Sequence, residues 1–298
     1  MNLKESARQF VLHNLPFDRN DAETISYLSR LDASLLLAVY HNWLNRLVRP
    51  QPRQVLQSQA FIRNPVVLAR QADINGIVVD VERGFDLTKY LSRGVKIGAQ
   101  SPAQKRRQDL DLMLNQWGIH HLHLSSEVES DGFVKRDGPV IFAMFRTDKA
   151  FFIDVMGHGD WTRDHVLETL VDEWPNEGLI HQLRGAEGLS RTISESDRAV
   201  LRKKHANAAF EYKGKVYMPD GLLSSAGTSV DSIREADRVV IAIEDFERRA
   251  AVDSNWLPRI FAANGITYPT EPKFAFTVGD EGVAVLEEST GAIIPLLR

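Results

Sequence analysis

The sequence contains no cysteine, so disulfides, thiolate metal centres, cysteine nucleophiles and haem-thiolate chemistry are excluded at once. Long apolar runs are equally scarce. One candidate, Leu35 to Val39, soon gives way to His41, Asn42 and Asn45, and no run approaches the ~18–20 residues that cross a bilayer. Met1 to Ser6 lack the apolar stretch of a secretory signal, so a cytoplasmic protein with no membrane association is expected. Neither sign of charge dominates. The net charge of -4 does not advertise nucleic acid, although a local basic groove remains compatible with it. Repeats and low-complexity tracts are missing, which excludes solenoids and propellers. What is present is ordinary: 43% hydrophobic and 26% charged residues over 298 positions, ample for one large core or two to three modules.

Periodicity organises the chain into three regions. Residues 1–100 read as mostly helical, with apolar residues at three- and four-residue spacing over Asp21 to Leu31 and over Ala33 to Val48. Pro50 and Pro52 end the second helix. Gln54 to Leu68 continues less regularly, broken at Pro65. Ile74 to Val81 is rich in β-branched residues and predicts a strand; Gly94 to Ala103 predicts a linker. Residues 101–178 form a central unit. A charged helix from Lys105 runs through Leu110 to Trp117 and stops at Gly118. Strands follow over Ile119 to Leu124, Val140 to Arg146 and Ala150 to Met156, and a helix opens after Thr162 as N-cap. Residues 190–298 predict a C-terminal α+β portion: a helix capped by Ser194 and Asp197, a short strand at Lys215 to Met218, a helix after the Ser224 to Ser229 loop, and a hairpin over Phe274 to Glu287. The fold class is therefore α+β, with a small central antiparallel sheet and flanking helices rather than a regular βαβ winding.

Histidine is the distinctive residue. There are nine, four of them between His120 and His158. Strand alternation puts His121 and His123 on one face and His120 with Leu122 and Leu124 on the other, the core side. On the third strand it groups Phe152, Asp154, Met156 and His158 against Phe151, Ile153 and Val155. Arg146 joins the Asp154/His158 face if the turn at Thr147 to Lys149 holds three residues, and leaves it if the turn holds two. Two chemistries suit such a cluster. One is metal-independent RNA cleavage, with His121 and His158 as acid and base, Arg146 stabilising the transition state and His123 orienting or acting as a second basic group. It needs no metal and no cofactor. The other is a metal-dependent hydrolase, with His121, His123 and His158 as ligands beside Asp154 or Asp160. Histidines that serve only the sheet's hydrogen bonding are the third possibility, leaving a non-enzymatic interaction or regulatory subunit. The Ser224 to Ser229 loop reads as a helix cap before it reads as a phosphate cradle. Arg202-Lys203-Lys204-His205 reads as a solvated basic face before a phosphate contact.

The order of helix, strand, turn and strand over residues 104–174, with Arg146 late in one strand and His158-Gly159-Asp160-Trp161 after the next, resembles RelE-type bacterial toxins and related endoribonucleases. That resemblance implies a toxin-like or antiviral-defence nuclease acting on RNA, with a protein partner or antitoxin. Arg8 and His13 likewise match the arginine-to-histidine spacing of HEPN ribonucleases.

Overall fold

The computed structural model describes residues 1–136, 138–279 and 282–297. It begins with three helices, α1 (Leu3–Asn14), α2 (Ala22–Arg30) and α3 (Ala33–Leu44). Asn2 and Asp21 cap the first two by accepting the backbone N–H groups of Glu5 and Glu23. Then come β1 (Gln54–Gln57), α4 (Gln59–Arg63), α5 (Pro65–Ala69), α6 (Gln71–Arg83) and α7 (Leu112–Trp117). The middle of the chain supplies β2 (His120–His123), β3 (Val140–Phe145), β4 (Lys149–Met156), α8 (Asp164–Glu173), β5 (Ile180–Gln182), α9 (Glu195–Lys203), β6 (Phe210–Tyr212) and β7 (Lys215–Pro219). Last are α10 (Val230–Val252), α11 (Trp256–Ala263), β8 (Phe274–Gly279), β9 (Gly282–Glu287) and β10 (Ala292–Pro295). This is an α+β protein. Among the described residues no helix is long and apolar enough to cross a membrane.

The division of the chain is not three consecutive regions. Two compact units form, one from residues 1–41, 98–105 and 231–298, the other from residues 42–97 and 106–230. In the first, the apolar stripe of α1 (Leu3, Ala7 and Val11) is buried, Phe10 meets Phe276 edge to face at 5.4 Å, and the Phe276 amide donates to Ser6 Oγ.

The second unit is built on a four-stranded sheet of order β1-β4-β3-β2. Its β2, β3 and β4 are antiparallel, and β1 pairs parallel with β4. One face packs Leu122, Ile141, Ala143, Phe152 and Val155 against Ile74, Ile77 and Val81 of α6. The other packs Val140, Phe142, Met144, Phe151 and Ile153 against Val166, Leu167 and Leu170 of α8, with Trp117 and the small β5-β7-β6 sheet. Both faces are covered, so the central strands are buried almost throughout.

Several expectations are corrected. Ile74 to Val81 is part of helix α6, not a strand: Ile74, Ile77 and Val81 are its buried residues at helical spacing, and packing of that stripe overrides the β-branched preference. Gln54 to Leu68 splits into β1 and two short helices, with Ser58 and Asn64 as caps. Gly94 to Ala103 is no linker, since Val95, Ala99 and Ser101 are buried. The helix expected from Lys105 starts only at Leu112, with Asp111 as its cap, and α8 follows Arg163 rather than Thr162. The β3–β4 turn holds two residues, because Phe145 pairs with Ala150 and the Arg146 amide donates to Lys149 O at 2.8 Å. A β-bulge then breaks the alternation of β4. Phe142 faces Asp154 while its neighbour Ala143 faces Phe152, which makes Ile153 the extra residue. Phe152 and Val155 therefore share one face, and Phe151 and Ile153 the other.

Candidate functional site

The strand register assembles the histidines. His121 lies opposite Phe142 and His123 opposite Val140, whose other neighbour is Met156. His158, two residues past Met156, returns beside His123. The turn that carries it is fixed by Asp160, whose Oδ2 accepts from the Gly157 amide at 3.0 Å and whose Oδ1 accepts from Arg163 Nε at 2.9 Å. The three rings close on one another. Their centroids are 5.8 Å apart for His121 and His123, 5.9 Å for His121 and His158, and 5.6 Å for the stacked pair His123 and His158. One nitrogen from each lies within 4.8 Å of the others. Trp161 covers the group, 4.9 Å from His121 and 4.7 Å from His158.

The three differ in exposure: His123 is buried, His121 half-buried and His158 exposed. Burial, with the nearby Arg136 charge adding to it, pushes His123 down to about 3. Burial also lowers His121, against the pull of Asp111. Both are neutral imidazoles at pH 7, the form that ligates a metal. His123 Nε2 is buried with no hydrogen-bond partner among the described residues, an orphan that costs free energy in an ordinary core. Asp111 stands behind His121. Its Oδ1 caps α7 through the Leu114 amide at 3.0 Å, and its Oδ2 is 3.5 Å from His121 Nδ1.

A cavity of about 430 Å³ opens beside the cluster, with His121, His158, Trp161 and Asp111 on its wall together with Arg46, Arg202 and Lys203. The basic run at 202–205 is thus not a simple solvated face. Arg202 is only 5% exposed, its guanidinium 4.1 Å from the Trp117 ring centroid.

Arg146 is not in this site. It extends from the same sheet side but four residues beyond Phe142, about 13 Å at a strand's ~3.3 Å rise. There it pairs with Asp220 at 2.6 Å, and Asp220 also meets His181 Nε2 at 2.8 Å. Asp154 is withdrawn too. The bulge turns it to Asn64 Nδ2 at 2.7 Å and His165 Nε2 at 3.1 Å. His120 lies on the far side, as its apolar neighbours imply, with Nε2 donating to Asn45 O at 3.2 Å and burial holding it down at about 4. Arg8 and His13 do not converge either: Arg8 Nε pairs with Glu5 at 3.1 Å, and His13 is exposed on α1. No protein-family model, curated protein or solved structure matches the chain. The site must speak for itself. Trp161 stands beside His158 in the sequence, but Asp111 and Arg46 escape a sequence reading because only tertiary folding carries the start of α7 and the segment after α3 to β2; of these two, Asp111 leaves a trace, as a cap before an apolar run.

Proposed function

We propose that His121, His123 and His158 bind a divalent transition metal ion, zinc foremost, and that the chain is a metal-dependent hydrolase. The observation that carries this reading is the convergence of three imidazole nitrogens within 4.8 Å, one ring having a buried nitrogen with no other partner. A tetrahedral ion at 2.0–2.1 Å needs nitrogens about 3.3 Å apart, which the rings reach by drawing together. Three protein ligands leave one position for water, and His158 lies at the open side, next to the cavity. The ion would lower the pKa of that water and polarise the bond under attack. Asp111, on the Nδ1 side of His121, holds that ring's tautomer and orientation.

Elemental analysis of protein purified without chelator tests this. Near-stoichiometric zinc, nickel, iron or manganese is expected, and its loss in His123→Ala and His158→Ala. Metal-free protein that also takes up none on titration overturns the reading.

A second reading keeps the RNA substrate of a toxin-like or defence-associated endoribonuclease without metal. It is favoured by the His121–Asp111 pair beside a cationic wall, an arrangement suited to general base and charge stabiliser. Arg202 rather than Arg146 would then supply the charge. RNA cleavage that survives exhaustive chelation selects it.

A further inference from the structure

We infer that the cavity beside the three histidines binds the phosphate group of a phosphate ester, which names the substrate class of the proposed hydrolase and rests on that reading. The argument comes from the wall. Arg46 is 4% exposed, and its guanidinium donates to two carbonyls, Ile97 O at 2.8 Å and Gln108 O at 3.0 Å. Arg202 donates from Nε to Gln116 Oε1 at 2.6 Å and from Nη1 to Trp161 O, while Nη2 is buried with no partner among the described residues. The hydrogen bonds of both buried cations thus go to neutral acceptors, Arg202 keeps one donor unused, and Lys203 is a third positive group on the same wall. Among the described residues Asp111 is the one carboxylate on that wall, and it is held by the start of α7 and by His121.

Burying guanidinium groups whose hydrogen bonds reach no carboxylate is costly, and the nearby charge of Asp111 offsets that cost for Arg46 and Arg202 only in part. A cavity that tolerates two of them beside three imidazoles is suited to an oxyanion that arrives from solution. Guanidinium forks match phosphate oxygens, and a volume of about 430 Å³ falls in the range of small-molecule sites. In the reaction, the oxygen of water attacks phosphorus and the bond from phosphorus to the ester oxygen breaks. One water proton ends on the departing alcohol, so one water is consumed and no other reactant is needed.

Binding of inorganic phosphate to the full chain, measured by calorimetric titration with and without loaded zinc, tests the inference separately from the metal. Lys203→Gln and Arg202→Gln should each weaken phosphate binding about tenfold or more, the loss of a charge-assisted contact, with zinc content unchanged. Lys203 is exposed, so its variant keeps the test decisive if Arg202→Gln does not fold. Phosphate binding without zinc uptake would sink the metal reading and leave the cavity assignment standing. Zinc uptake with no phosphate binding, or with binding indifferent to Lys203→Gln, overturns the inference alone. Turnover of p-nitrophenyl phosphate, its bis ester and a short RNA by the zinc-loaded chain then separates monoester from diester.

Discussion

At the scale of single residues, Asp111 does two jobs that one substitution can separate. Asparagine caps helices as well as aspartate does, so Asp111→Asn should leave α7 and the melting temperature nearly unchanged. It removes the charge behind His121, and loss of such a partner typically weakens metal binding about 10–100-fold. Competition with a coloured chelator reads this directly; unchanged affinity would make Asp111 a cap and nothing more. The pairing of His121 with His123 is legible from strand alternation, and the nearness of His158 from its place after the third strand. The departure of Arg146 is not, because its partner Asp220 lies 74 residues away and neither residue's neighbours announce the other. His165 is invisible for the same kind of reason. It becomes notable only when the bulge swings Asp154 toward it.

At the scale of elements, the helix and strand periods identify α2, α3, the three antiparallel strands of the central sheet and the C-terminal hairpin. They fail where packing decides. The stripe of α6 is apolar in either period, and β1 is too short to show one. The turn after α6 offers a sharp test. Gly84 adopts φ +73°, and a Cβ there would fall 2.5 Å from Gln51 C and 2.7 Å from Pro52 Cδ. Gly214 has a similar φ of +70° with open space around it. Gly214→Ala should cost only the left-handed penalty of about 1–2 kcal/mol. Gly84→Ala adds a forced backbone shift and should exceed about 3 kcal/mol. Equal losses in denaturant melts would mean that the Gln51–Pro52 segment yields freely.

At the scale of the whole molecule, one histidine in each unit, both outside the cluster, carries a shift of opposite sign. In one, burial lowers His41; its contribution is full above about pH 6.5 and falls away as pH drops toward the depressed value. In the other, the hydrogen bond to Asp154 raises His165. Its contribution is full below about pH 6.5 and is lost as pH climbs through the raised value. Hydrogen exchange followed peptide by peptide should therefore show the His41 unit opening more readily at pH 5 than at pH 7.5. In the second unit His120, His121 and His123 carry the same sign as His41, so His165 is isolated by substitution: His165→Gln should lose more stability at pH 5 than at pH 8, and a loss independent of pH would contradict the assignment. The interleaving of the units has a further consequence, for synthesis. Ser6 and Phe276, which close the first unit, are 270 residues apart. At ~5–20 residues per second a ribosome needs about 13–54 seconds to deliver the second after the first. Throughout that interval the stripe of Leu3, Ala7 and Val11 has no strand to cover it, while every segment of the other unit emerges in between. Residues 42–230 are thus complete while the first unit still lacks its last segment, and the apolar stripe of α1 is the surface left uncovered for longest.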